Sequence, residues 1–204
     1  MIGVLDYGVG NVSAFLRTFY LNDLPAKAVS SPDDYKSVNK LILPGVGAFD
    51  YAMEKFNNSG LRSKLDYLVM EENTPLLGVC IGMHMLGRAS AEGNLDGLGY
   101  ISGDTKKLQS RENDKVMVLP HMGWNDVTVP REDDIWEGVN LKEGFYFLHS
   151  YVFCPDQSNS IIGNSVYSEN FVCAVRSSNV YGFQFHPEKS LSNGIKLLNN
   201  FAKL

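Results

Sequence analysis

Gly78-Val79-Cys80-Ile81-Gly82-Met83-His84 follows the apolar pair Leu76-Leu77 and runs into another, Met85-Leu86. An apolar strand that breaks at one polarizable nucleophile and resumes as a helix describes a nucleophile elbow. The serine form of this turn needs a small residue two places either side of the nucleophile, because a bulky neighbour would clash in the strained turn. Gly78 and Gly82 occupy those places. Cys80 would then face the start of the next helix, whose unpaired N–H groups and dipole stabilise a thiolate. The same first-turn N–H groups, Ile81 foremost, are placed to hold the oxyanion of a tetrahedral intermediate. The bland alternative is that Cys80 is a small buried hydrophobe between two glycines, as most free cysteines are. A general base is needed to decide between them.

Upstream of the elbow the chain alternates strand and helix. Ile2-Gly3-Val4-Leu5 reads as a buried strand, Asp6-Tyr7-Gly8-Val9-Gly10-Asn11 as a loop, and Val12, Phe15, Leu16 and Phe19 as one face of a helix. The loop invites a dinucleotide reading, but Ser13 stands where G-x-G-x-x-G needs its third glycine, and no acid ends the next strand near Val29. A tight turn is the favoured reading. Residues 26–29 and 40–43 form the next strands, the latter ending in Pro44-Gly45-Val46-Gly47-Ala48-Phe49. Glycines either side of Val46 free the backbone to reorient, at the strand end where open α/β sheets place their sites. Leu61, Leu65, Leu68 and Val69 make a further helical face, and Pro75 begins the elbow strand.

After Leu86 the pattern changes to glycine-rich loop and short alternating runs. Residues 116–119, 125–129, 145–153, 161–162, 171–175 and 180–185 read as strands at hairpin-like spacing. A helix over 194–202, with Ile195, Leu197, Leu198 and Phe201 on its apolar face, follows. The expectation is one α/β domain over residues 1–204: a central, mostly parallel sheet with antiparallel strands added in the second half.

Composition narrows the function classes. The 204 residues are 44% hydrophobic and 20% charged, within the range of a single globular domain. A net charge of −5, with no basic cluster longer than Lys106-Lys107, gives no footprint for nucleic acid or an anionic membrane. The amino-terminal residues lack the pattern of a secretory signal and no long uncharged apolar run occurs, so a cytoplasmic protein is expected. Three widely spaced cysteines suit a reducing compartment and offer no disulfide framework. Cys154 and Cys173 read as buried strand residues. Four histidines without ligand spacing argue against a metal, and no other cofactor is expected.

Tyr181-Gly182-Phe183-Gln184-Phe185-His186-Pro187-Glu188 supplies the base that the elbow requires. Proline after His186 favours extended geometry, in which residues two apart share a side, so the Glu188 carboxylate is expected beside the His186 ring. A carboxylate on one ring nitrogen fixes the tautomer and leaves the other to take the thiol proton. His121 and His149 are rival bases, but neither has an acid two residues away.

The pairing of Gly78-Val79-Cys80-Ile81-Gly82 with Phe185-His186-Pro187-Glu188 resembles the class I, triad-type glutamine amidotransferases. With Asp6-Tyr7-Gly8-Val9-Gly10-Asn11, Pro44-Gly45-Val46-Gly47-Ala48-Phe49, Pro120-His121-Met122-Gly123-Trp124-Asn125, His149-Ser150-Tyr151 and His186-Pro187-Glu188-Lys189-Ser190, the chain is similar to one branch of that family. In that branch a glutaminase subunit feeds ammonia to a cyclase in histidine biosynthesis. The resemblance implies a flavodoxin-like fold, with Cys80 as nucleophile, His186 as base and then acid, and Glu188 as orienter. It places the oxyanion at Ile81 and Val46, and glutamine against Gly45, Gly47, His84, His149, Ser150 and Tyr151. It further implies a heterodimeric partner, a (β/α)8-barrel subunit making imidazole glycerol phosphate and an aminoimidazole carboxamide ribotide, docked near Asn11, Trp124 and Lys189. With sixteen residues after Glu188, the expectation is that the ammonia passes to a separate partner.

One departure stands out. The family pattern ends the elbow in glutamine, where this chain has His84, and an imidazole offers fewer hydrogen-bonding groups than an amide. The same fold could then serve as a paralogue supplying another pathway, such as amidination of a surface sugar, or as a binding subunit without turnover. A cysteine hydrolase of γ-glutamyl or peptide bonds is a third reading of the elbow.

Overall fold

The computed structural model describes residues 1–109, 111–112 and 115–204. The first half runs β1 (Ile2–Leu5), α1 (Val12–Leu21), β2 (Ala26–Val29), β3 (Lys40–Gly45), α2 (Phe49–Asn58), α3 (Arg62–Met70), β4 (Leu76–Cys80) and α4 (Ile81–Met85). The second runs β5 (Ala89–Ser90), β6 (Gly103–Lys107), β7 (Arg111–Glu112), β8 (Lys115–Val116), β9 (His121–Asn125), β10 (Phe145–His149), β11 (Tyr151–Pro155), β12 (Ile161–Val166), β13 (Asn170–Ser177), β14 (Val180–Phe183) and α5 (Leu191–Lys203).

A ten-stranded sheet has the order β2-β1-β3-β4-β14-β13-β11-β6-β5, with β12 beside β13. From β2 to β14 the neighbours are parallel. From β14 through β13 and β11 to β6 they are antiparallel. The expected α/β sheet with an antiparallel extension is therefore present. Strands β1 and β4 are buried along their whole length, as strands covered on both faces must be. Helices α1, α2, α3 and α5 each turn an apolar stripe inward, for example Phe49, Ala52, Met53 and Phe56 of α2.

Several boundaries differ from the sequence expectation. Residues 145–153 are two strands, β10 and β11, because the chain leaves one sheet for another at Ser150: β10 pairs with β9 in a separate sheet, whereas β11 joins the large sheet. The strand expected at 125–129 lies instead at His121–Asn125, and beyond it Thr128 makes a single bridge to Asn164. Met122 and Trp124, the apolar members of β9, point outward at 62% and 49% exposure, so burial there does not follow hydrophobicity. Of 116–119 only Val116 is in a strand, the short β8. The C-terminal helix begins earlier, at Leu191.

The carboxyl ends of β3, β4 and β14 meet at one edge, delivering Gly45, Cys80 and the segment leading to His186 to the same place. An aromatic cluster fixes that segment: Phe185 stacks on Phe145 at 4.2 Å and on Phe183 at 5.1 Å between ring centroids. Each such fully buried ring contributes about 2–3 kcal/mol.

Candidate active site

Cys80 occupies φ 55°, ψ −112° at the junction of β4 and α4, a conformation costly for any side-chain-bearing residue and held only by its surroundings. Those surroundings are glycines. A Cβ on Gly78 would lie 2.6 Å from the Gly82 carbonyl oxygen, and one on Gly45 2.6 Å from the Gly82 nitrogen. Strand, turn and neighbouring loop thus close to backbone contact, as the elbow requires. The helix that follows is only five residues long, so its macrodipole is weaker than expected, while its first-turn N–H groups remain.

His186 reaches the elbow from β14. Its Nδ1–H donates to Glu188 Oε1 at 2.8 Å, and the two side chains are 3% and 2% exposed. Their meeting has a different local cause from the one expected: Glu188 lies in a 3-10 turn, Pro187–Lys189, that carries its carboxylate back to the ring. The turn is held by its own bonds, His186 N–H to the Tyr146 carbonyl at 2.9 Å and Ser190 Oγ to the His186 carbonyl at 2.7 Å. Since a carboxylate only accepts, Nδ1 carries a proton, which leaves Nε2 for the Cys80 thiol. Burial alone would lower the His186 imidazole, but hydrogen bonds to Cys80 and Glu188, with the negative charge each can carry, outweigh it and push the ring up to about 10. The thiol also reaches the Leu148 carbonyl of β10 at 3.7 Å.

Beside this pair opens a cavity of about 290 Å³ lined by Val46, Gly47, Cys80, Ile81, His84, Glu92, Pro120, Leu148, His149, Ser150, Tyr151 and His186. That volume suits a molecule the size of an amino acid. The structure brings Val46 and Gly47 to the mouth, with Gly47 at φ 85° and Val46 42% exposed, and packs Gly45 behind them against the elbow. His84 is in the wall, but its Nε2 is occupied by Gln184 Oε1 at 2.8 Å, which leaves Nδ1 without a protein partner. Burial pushes that imidazole down to about 4; the ring is neutral at physiological pH.

Both nitrogens of His149 are engaged within the protein. Its Nδ1–H donates to the Tyr151 carbonyl at 3.0 Å, so Nε2 accepts from His121 Nδ1–H at 2.9 Å, and His121 Nε2 accepts from Asn125 Nδ2 at 3.2 Å. The rival bases are thus a relay of fixed tautomers. Burial lowers His149 to about 3 and His121 to about 4.

Two contributors escaped the sequence reading. Glu92 supplies the carboxylate of the pocket wall from the glycine-rich loop after the elbow, where no periodicity marks it. Tyr7 sends its hydroxyl to the Pro44 carbonyl at 2.6 Å, and a Cβ on Gly10 would sit 2.8 Å from Pro44. The glycine loop that invited a nucleotide reading is therefore packed under the Val46 loop.

Among the expected docking residues, Trp124 packs edge-on to Tyr146 at 6.5 Å and Lys189 lies over the Tyr146 ring at 5.6 Å, making one continuous surface. Asn11 caps α1, its side chain accepting from Ala14 N. Cys173 is buried with its thiol pushed up by desolvation, and Cys154 is half-buried.

The sequence pattern of the class-I glutamine amidotransferases matches residues 4–204. The chain belongs to the class-I glutamine amidotransferases. Among relatives of this amidotransferase, imidazole glycerol phosphate synthase subunit HisH of Leptospira interrogans is 44% identical over 204 residues, covering all of both chains. The subunit HisH 2 of Pseudomonas aeruginosa is 45% identical with the same coverage, and that of Methanococcus maripaludis 42%, covering 100% of this chain and 99% of its own. A crystal structure of a glutamine amidotransferase superposes with TM-score 0.74 at 19% identity, covering 100% of this chain and 99% of the other. The fold is thus that of the family. The amidotransferase is an enzyme, and no helix of its described residues is long and apolar enough to cross a membrane.

Proposed function

We propose that this chain is the glutaminase subunit of an imidazole glycerol phosphate synthase, with Cys80, His186 and Glu188 as its triad. The observation that carries the chemistry is the strained Cys80 and His186 lining one pocket, with Glu188 buried behind the His186 ring. Cys80 Sγ attacks the side-chain amide carbon of glutamine, and its proton passes to His186 Nε2. The resulting oxyanion lies against the Ile81 amide and an amide of the Val46 loop. Collapse expels ammonia, which takes its proton from His186, and leaves a γ-glutamyl thioester on Cys80. His186 then draws a proton from water, whose oxygen adds to the thioester, releasing glutamate and the free thiol. Glu188 holds the ring tautomer and stabilises the imidazolium throughout.

Glu92 is the carboxylate of the pocket wall and supplies an acceptor for the α-ammonium of glutamine. Ser150 and Tyr151 offer backbone and hydroxyl groups to the rest of the amino acid. The ammonia goes to a (β/α)8-barrel cyclase docked on the Trp124–Tyr146–Lys189 surface, since ammonium in bulk water is a poor nucleophile. The 44% identity with the Leptospira interrogans subunit, over the full length of both chains, supports the histidine-pathway assignment.

His84 in place of the family glutamine favours a second reading, a paralogue that supplies ammonia to another acceptor such as a surface sugar. Affinity purification of the tagged chain from its own cells tests both. Recovery of a barrel cyclase, and glutamine-dependent formation of imidazole glycerol phosphate by the pair, is the expected result; a different synthase supports the paralogue.

A further inference from the structure

Helix α2 leaves the Val46 loop without a cap of its own. Ala48 has the extended backbone of an N-cap residue, φ −87°, ψ 146°, but its methyl group offers nothing to the first N–H groups of the helix. The missing acceptor comes from elsewhere: Glu92 Oε2, 43 residues along the chain, accepts the Phe49 N–H at 3.1 Å. A carboxylate at this end of a helix is also favoured by the helix dipole.

The contact is reciprocated. Asp50, in the first turn of α2, accepts the N–H groups of Asn94 at 2.9 Å and Leu95 at 3.0 Å. At Gly93, between Glu92 and Asn94, a Cβ would lie 1.9 Å from Asp50 Oδ1. Two carboxylates thus cross between loop and helix and clamp one to the other.

We propose that Glu92 is a positioning residue for the oxyanion loop: by capping α2 it fixes the far end of residues 45–48, whose near end is already held where Gly45 pairs with Cys80. This deepens the glutaminase reading above and rests on it. Val46 and Gly47 are suspended between those two anchors, so the orientation of a Val46-loop amide depends on where Phe49 is held. Glu92 also faces the pocket, so the side chain that receives the substrate ammonium is the one that sets this loop.

The test separates the two roles of Glu92 by steady-state glutaminase kinetics on the full chain with its synthase partner. Glu92→Gln keeps an oxygen for the Phe49 N–H but loses the charge; Glu92→Leu loses both. Both variants are expected to raise KM, and only Glu92→Leu to lower kcat as well, by about tenfold. In Glu92→Leu/Ala48→Ser the serine hydroxyl supplies a local cap, and kcat is expected to recover while KM stays high. Equal kcat for the Gln and Leu variants, or a double variant no faster than Glu92→Leu, overturns the proposal. Should Glu92→Leu alone fail to fold, the folded double variant carries the comparison: kcat near wild type supports the cap, and a tenfold deficit overturns it. Failure of the glutaminase reading itself is distinct, because it shows as no glutamine turnover by the wild-type complex.

Discussion

Gly82, at the start of the elbow helix, lies under the Leu43 carbonyl of the adjacent strand so closely that a Cβ there would sit 1.9 Å from that oxygen. Leu43 leads directly into the Val46 loop, so the contact ties Cys80, the proposed nucleophile, and the proposed oxyanion loop to one backbone spacing. Gly82→Ala must push β3 and α4 apart, at about 1–3 kcal/mol of stability. It should also lower glutaminase kcat by about a hundredfold through a displaced oxyanion donor. Thermal melts and steady-state kinetics check this; a fully active, equally stable variant would contradict it.

The Glu188 carboxylate fixes the tautomer of His186. Glu188→Gln replaces it with a neutral amide that donates as readily as it accepts. We expect kcat to fall by about two to four orders of magnitude with KM little changed. A variant that retains wild-type turnover would show that the ring needs no orienting acid.

His84 gives a pH prediction with a definite sign. Its folded pKa, lowered to about 4 from an ordinary 6.5, means that the stability it contributes is present above pH 6.5 and is lost as pH falls through about 4. For so buried a ring this is on the order of 3 kcal/mol. His186 has the opposite sign: raised to about 10, its contribution is full below pH 6.5 and is lost as pH rises through about 10. Urea denaturation of His84→Gln between pH 7 and 4 should therefore show a shallower loss of stability than wild type. Parallel curves would refute the buried neutral imidazole.

The same substitution bears on substrate binding. With Nε2 taken by Gln184, His84 has one nitrogen left, whereas glutamine brings two donors and an acceptor. His84→Gln should lower the KM for glutamine by about threefold to tenfold at unchanged kcat. An unchanged or higher KM would mean that position 84 does not contact the substrate.

How legible these features were depended on how local their cause was. Gly78, Cys80 and Gly82 were readable because a strained turn dictates small residues at fixed offsets, and His186 because a carboxylate stood two places away. Helix α2 carries a visible signal in Phe49, Ala52, Met53 and Phe56, at helical spacing. Glu92 had none: its role comes from a loop brought against Phe49 from 43 residues away. Strand β9 was misplaced because Met122 and Trp124 put their apolar side chains outward, and pattern reasoning takes apolar for buried. The break at Ser150 reflects a change of sheet, which periodicity within one strand does not record.

That outward apolar face is itself testable. Trp124→Ala should weaken binding of the cyclase partner by about thirtyfold or more, the loss typical of an interface anchor. The melting temperature of the isolated chain should barely move, since the ring is half-exposed. Unchanged affinity in a binding titration would place the partner elsewhere.

The most direct test removes one sulfur atom. In the reconstituted complex, Cys80→Ala should abolish glutamate release from glutamine, while formation of imidazole glycerol phosphate from added ammonium salts continues at the wild-type rate. Glutamate still released at an undiminished rate would show that the nucleophile lies elsewhere and would contradict the account at its centre.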